Sequence, residues 1–138
     1  MSTQKNILYR HQLLFSILLL TSFAVAQSEI SSSLQLVIAA RSGGDYTLAA
    51  GSYTLSDTLS INDDLKLIGA GKDQTIINIQ KAPLGIQVTA DVDVYFEGIG
   101  FHYDATEPGD IMQFSAGRFN IIDCDFQKAI YGESSDEA

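Results

Sequence analysis

Between residues 44 and 79 the chain reads GDYTLAAGSYTLSDTLSINDDLKLIGAGKDQTIINI, and its apolar positions fall in short triplets: Leu59-Ser60-Ile61, Leu65-Lys66-Leu67 and Ile77-Asn78-Ile79. Successive side chains of a strand leave on opposite faces, so each triplet sends its outer two to one side and its middle one to the other. No run here has a helical period. The pattern then recurs. Ile86-Gln87-Val88, Val92-Asp93-Val94-Tyr95-Phe96 and Ile99-Gly100-Phe101 form a second set, and Met112-Gln113-Phe114, Phe119-Asn120-Ile121 and Cys124-Asp125-Phe126 a third. Leu59 to Ile86 is 27 residues and Ile86 to Met112 is 26, while Val94 to Phe119, Phe96 to Ile121, Ile99 to Cys124 and Phe101 to Phe126 are each 25. Leu67 to Ile77 is ten residues where Val94 to Ile99 is five, which predicts a longer turn at 69–73 in the first coil. A repeat of this length built from short strands implies units that stack and bury a shared core. Three strands per turn with no helix between them predict an all-β, parallel β-helix of about three full coils.

The segments GDYTLAAGSYTL and LSINDDLKLIGAGKDQTII resemble the first coils of the right-handed parallel β-helix (pectin-lyase-like) superfamily, and the likeness runs over 34–126. The resemblance implies a right-handed coil and a short amphipathic helix plugging its amino-terminal end. It leaves activity open, since the superfamily holds lyases, glycoside hydrolases, epimerases and proteins without known chemistry. Residues 31–41, SSSLQLVIAAR, match the plug in place. A serine run offers an N-cap, Leu34, Val37, Ile38 and Arg41 sit at helical spacing, and Gly43-Gly44 ends the helix. An open solenoid end exposes apolar core and unpaired edges, so a cap is the expected role.

Residues 1–26 read as a secretory signal peptide: Lys5 and Arg10 precede an apolar run at 13–20, and Ala24-Val25-Ala26 offers a small-residue cleavage site. The apolar stretch is shorter than the roughly 20 residues a spanning helix needs. The expected product is secreted or extracytoplasmic, with no membrane attachment after cleavage. It has a β-helix domain at 27–132 and an acidic tail at 133–138, GESSDEA beginning at Gly132. Lys5 and Arg10 leave with the signal and no acid does, so 8 Lys+Arg become 6 against 17 Asp+Glu, a balance of −11. That argues against nucleic acid and anionic membrane surfaces as partners. It also opposes a polyuronate ligand unless a cation bridges the two. After Phe126, Lys128, Ala129, Ile130 and Tyr131 read as the opening strand of another coil. The end of the stack is therefore expected to be an association surface, self-association included, or the chain a piece of a longer β-helix, in preference to a tail folded over the end.

Middle residues of stacked triplets should form outward columns about 4.8 Å apart: Ser60–Gln87–Gln113, Tyr95–Asn120 and Asn78–Gly100–Asp125, with Lys66 beside Asp93 as an ion pair. Asp123 and Asp125 flank an inward Cys124, and strand rise would hold the two carboxylates roughly 6.5–7 Å apart. Such a pair could serve glycoside hydrolysis or, with Asp93, hold Ca²⁺ through oxygen ligands; no other cofactor is indicated. Against an enzyme, the polygalacturonase-like Asn-Thr-Asp, Gly-His-Gly and Arg-Ile-Lys motifs are missing, Asp63-Asp64 lacks its preceding Gly-x, and Arg118 is the only arginine in the coils. There is no Trp for sugar stacking, which leaves Tyr95, Tyr103 and His102. Cys124 is the only cysteine; no disulfide forms within the chain, and its expected role is packing. The reading is a non-catalytic secreted β-helix binding polysaccharide or protein by its side face or open end. Asp93, Tyr95, Asn120, Asp123 and Asp125 are the candidate binding residues. A polysaccharide lyase or glycoside hydrolase is the alternative.

Overall fold

The computed structural model describes residues 28–128. The expected signal peptide and acidic tail lie outside them. One helix, α1 (Ser33–Ser42), follows a short strand β1 (Ser28–Ile30). The first coil then runs through β2 (Gly44–Leu48), β3 (Gly51–Leu55) and β4 (Leu59–Ile61), and the second through β5 (Leu65–Ile68), β6 (Thr75–Ile79) and β7 (Leu84–Val88). The third comprises β8 (Asp93–Glu97), β9 (Gly100–Tyr103) and β10 (Asp110–Phe114), and β11 (Arg118–Ile122) and β12 (Asp125–Lys128) begin a further one. Each coil gives one strand to each of three parallel sheets, ordered β1-β2-β5-β8-β11, β3-β6-β9-β12 and β4-β7-β10. The expected parallel β-helix is the fold.

Register follows the predicted spacing in the upper coils. Val94 lies beside Phe119, Phe96 beside Ile121, and Phe101 beside Phe126. On the third sheet Leu59, Ile86 and Met112 share a level, as do Ile61, Val88 and Phe114. The core is therefore a set of vertical columns. Tyr53–Ile77–Phe101–Phe126 is one, and Tyr46–Leu67–Phe96–Ile121 another. Phe101 and Phe126 stack with ring centroids 5.2 Å apart and planes 9° from parallel, a contact that adds to the area buried.

The lower coils depart from even spacing for a physical reason. Ile61 to Leu65 is four residues, whereas Val88 to Val94, one coil on, is six. The longer turn slides β8 by two relative to β5, so Lys66 lies beside Tyr95 and not beside Asp93. Similarly Asn78 lies beside His102, and Gly100 beside Ile76 and Asp125. The column is Asn78–His102–Gln127, not Asn78–Gly100–Asp125. At the level of Ile99, β6 supplies Thr75, a fully buried polar residue. Its hydroxyl accepts the Ala70 N–H at 2.9 Å and lies 3.3 Å from the Ala49 carbonyl, so a polar atom in the core keeps partners.

The long turn at 69–73 climbs onto the next coil. Gly69 N–H donates to the Glu97 carbonyl at 2.8 Å and Gly71 N–H to the Gly98 carbonyl at 3.0 Å. A Cβ on Gly69 would run into that Gly98 oxygen, and one on Gly100 into the Lys72 carbonyl. Glycine there permits the close approach.

Helix α1 closes the amino-terminal end as expected, but with a different face. Ser32 caps it by accepting the Gln35 N–H at 3.2 Å, and Gly43 ends it at φ +70°. The buried residues are Leu36, Ala39 and Ala40, while Leu34 and Ile38 remain 70% and 54% exposed. Two alanines let the helix axis approach the mouth of the core, which turns the bulkier Leu34–Ile38 stripe outward.

Column stacking makes a graded prediction. Phe101→Ala, fully buried, should lower unfolding free energy by about 3–5 kcal/mol. Phe126→Ala, one coil higher and 43% exposed, should cost less than half of that by urea denaturation. Equal costs would contradict the stacking order.

Candidate functional site

The outer face of the five-stranded sheet gathers three of the five expected residues. Asp93 and Tyr95 project from β8, and Asn120 lies beside Tyr95 on β11. Register adds Lys66 and Arg118 to the same ledge. The ammonium of Lys66 sits 4.9 Å from the centre of the Tyr95 ring, a cation–π contact. The Tyr95 hydroxyl donates to Glu97 Oε2 at 2.9 Å, and this hydrogen bond to a carboxylate pushes the phenol's pKa up. Asp93 is engaged by Arg118, whose Nε and Nη2 donate to its two oxygens at 3.0 and 3.3 Å. Its backbone N–H donates to Asp64 Oδ1 at 2.8 Å. Above the pair opens a shallow depression of about 430 Å³ lined by Asp93, Arg118, Phe119 and Asn120.

Asp123 and Asp125 do not join that ledge. Asp123 occupies the turn between β11 and β12 with φ +49°, in the left-handed region. The two carboxylates therefore do not share a strand, and the separation expected from strand rise does not apply. Asp123 Oδ1 lies 3.7 Å from Lys72 Nζ, the residue carried upward by the long turn. Asp125 instead accepts from Gln127 Nε2 at 2.6 Å on the face of β12. Among the described residues no group of three or more His, Cys, Asp and Glu side chains is placed to hold a metal ion. The combination of Asp93 with the Asp123–Asp125 pair is thus not assembled.

Cys124 points inward above Ile99 but, in the last coil, is only partly buried. Its thiol lies 3.4 Å from the Ile122 carbonyl. Burial raises its pKa, and nearby backbone hydrogen bonds offset this only in part.

A third region was only partly legible in the sequence: the carboxy-terminal end of the described stack. Its inward column members Ile121 and Phe126 are 39% and 43% exposed, against 1% and 0% for Phe96 and Phe101 beneath them. Met112, Phe114 and Phe119 complete the apolar rim, packed against the core yet only partly buried. One corner is closed differently. Lys128 follows Leu55, Ile79 and Tyr103 in an inward column. Its ammonium lies 5.8 Å from the Tyr103 ring centre and 3.4 Å from Asp110 Oδ1. An inward charge at an edge discourages further strand addition. The 25-residue step from Tyr103 to Lys128 was the available signal.

Compared with protein-family models, curated proteins and solved structures, the chain matches none. Among the described residues no helix is long and apolar enough to cross a membrane.

The raised Cys124 pKa leaves less thiolate at a given pH, and the thiolate is the reactive form. Reaction of the folded protein with a chromogenic disulfide at pH 8 should be slower than that of the urea-unfolded chain, and should accelerate above the ordinary thiol range. Because the folded pKa is the higher one, the associated stability is present below the unfolded pKa and is lost as pH rises through the folded value. Equal folded and unfolded rates would contradict the burial of this thiol.

Proposed function

We propose that this chain is a secreted, non-catalytic β-helix domain of the pectin-lyase-like kind that binds a protein partner at the carboxy-terminal end of its stack. The exposure of Ile121 and Phe126 above the buried Leu67, Phe96, Ile77 and Phe101 of the same columns carries the reading. Apolar side chains at the ends of core columns gain most from being covered, at about 25 cal/mol for each Å² removed from water. On the side walls below β11 no large hydrophobic residue among the described ones is exposed; Ile122, outward on β11 beside Glu97, is 46% exposed. Secretion rests on the basic, apolar and small-residue segments at 1–26. A binding role, in preference to hydrolysis, is supported by the separate engagement of Asp123 with Lys72 and of Asp125 with Gln127.

A polysaccharide held on the side ledge is the second reading, favoured by the depression beside Arg118 and Asn120. Its hydrogen-bonding groups would suit sugar hydroxyls, although Lys66 already covers one face of the Tyr95 ring.

Photo-crosslinking in the producing cell separates the two. A benzophenone amino acid at position 126 should yield a discrete protein adduct, identified by mass spectrometry, and the same group at 95 should yield none. Adducts at neither position, with retardation of the protein in gels containing pectin, polygalacturonate or alginate, would move the site to the ledge. New reducing ends or unsaturated products from those polymers, with or without Ca²⁺, that vanish in Asp125→Asn would overturn the non-catalytic assignment.

A further inference from the structure

The expected leader ends at Ala24-Val25-Ala26, and the first strand, β1, starts at Ser28, so a single residue, Gln27, separates the cut from the strand. We infer that cleavage after Ala26 makes Gln27 the first residue of the secreted protein and that Gln27 then closes on itself as pyroglutamate. The inference rests on the secretion reading and adds to it a covalent modification of the new amino terminus.

Sequence and structure agree on where the secreted chain should begin. β1 is the outermost strand of the five-stranded sheet and pairs in parallel with β2, Ser28 beside Tyr46, Glu29 beside Thr47 and Ile30 beside Leu48. Ile30 is buried in the core, and its carbonyl accepts the Ala49 N–H and the Tyr53 hydroxyl, each at 2.9 Å. A second small-residue site, Ala26-Gln27-Ser28, would put the cut inside β1 and remove the residue that pairs with Tyr46. Cleavage after Ala26 takes off the whole leader and leaves the strand complete.

The chemistry needs only the residue itself. An α-amine has a pKa of about 7.7–8.0, so near neutral pH a useful fraction is uncharged and nucleophilic. In an amino-terminal glutamine this nitrogen reaches the carboxamide carbon of its own side chain through an unstrained ring, and that proximity replaces a collision between molecules. The bond from the α-nitrogen to Cδ forms, the Cδ–Nε2 bond breaks, and Nε2 leaves as ammonia with a proton from the amine. Nothing is oxidised or reduced, and no co-reactant is consumed. The peptide bond from Gln27 to Ser28 is untouched, so the β1 ladder is retained. What disappears is the positive charge that cleavage created and the free amine from which an aminopeptidase starts. The strand protected in this way edges a sheet and carries Ile30 into the core, and trimming it away would open the edge of β2.

Intact mass of the protein secreted by its producing cell, read before any digestion, and then its amino-terminal peptide test this. The chain should begin at position 27, weigh one ammonia less than its sequence, and resist amine-directed labelling at that end. Pyroglutamyl peptidase should convert the peptide to one beginning at Ser28. Gln27→Asn, whose shorter side chain could close only a strained ring, should keep its full mass and take the label. It should also lose its first residue to an aminopeptidase that leaves wild type intact, with the same circular dichroism as wild type. A chain that begins at Gln27 with its carboxamide intact after prolonged incubation at neutral pH overturns the inference and leaves secretion standing. A start at any other residue past the leader overturns it too, and a chain that retains residues 1–26 overturns the secretion reading as well.

Discussion

The vertical registration of one coil on the next is the constraint from which the rest of this molecule follows. A strand of three to five residues has no stability of its own, and an isolated pair is marginal even when well matched. Here each strand gains ladder hydrogen bonds from the coil below and places its inward side chains on the column beneath. Leu67, Phe96 and Ile121 illustrate the dependence: the middle one is 1% exposed with a neighbour on both sides, and the last, 39% exposed, has one among the described residues. Stability in such a stack is a sum of nearest-neighbour terms, so the ends are where it is least secured.

Both ends show how that is managed. At the amino terminus a helix brings two alanines and a leucine against the core mouth and caps its own first turn with Ser32. On the last described coil, Lys128 closes one corner by folding its ammonium over Tyr103 toward Asp110, while the Ile121–Phe126 side is apolar and exposed among the described residues. The functional proposal follows from this asymmetry, because an apolar rim with one guarded corner admits a docking surface more readily than an added strand. The side ledge has the hydrogen-bonding chemistry for a sugar, yet most of its groups already satisfy one another: Arg118 with Asp93, Tyr95 with Glu97, Lys66 with the Tyr95 ring.

The fold was legible because period and alternation are properties of the chain itself. The 25-residue steps between the second and third sets gave the register of Val94, Phe96 and Phe101 with Phe119, Ile121 and Phe126 directly. Where turns change length, spacing alone misleads. Two extra residues before β8 moved Lys66 from Asp93 to Tyr95, and a five-residue β6 placed Thr75, not Ile77, at the level of Ile99. The helix was found but its inner face was not, since hydropathy favours Leu34 and Ile38 whereas close approach favours Ala39 and Ala40. Of the candidate site, Asp93, Tyr95 and Asn120 came together because they share the outward parity of adjacent strands. Asp123 separated from them because its left-handed backbone turns a corner that alternation cannot reveal.

The most direct test of coil stacking is a nuclear Overhauser experiment on protein labelled at Phe, Ile and Val side chains. The account predicts cross-peaks between Phe101 and Phe126, Phe96 and Ile121, and Val88 and Phe114, all residues distant in sequence. Their absence, or strong Hα–Hα contacts of antiparallel hairpins between neighbouring segments, would contradict it.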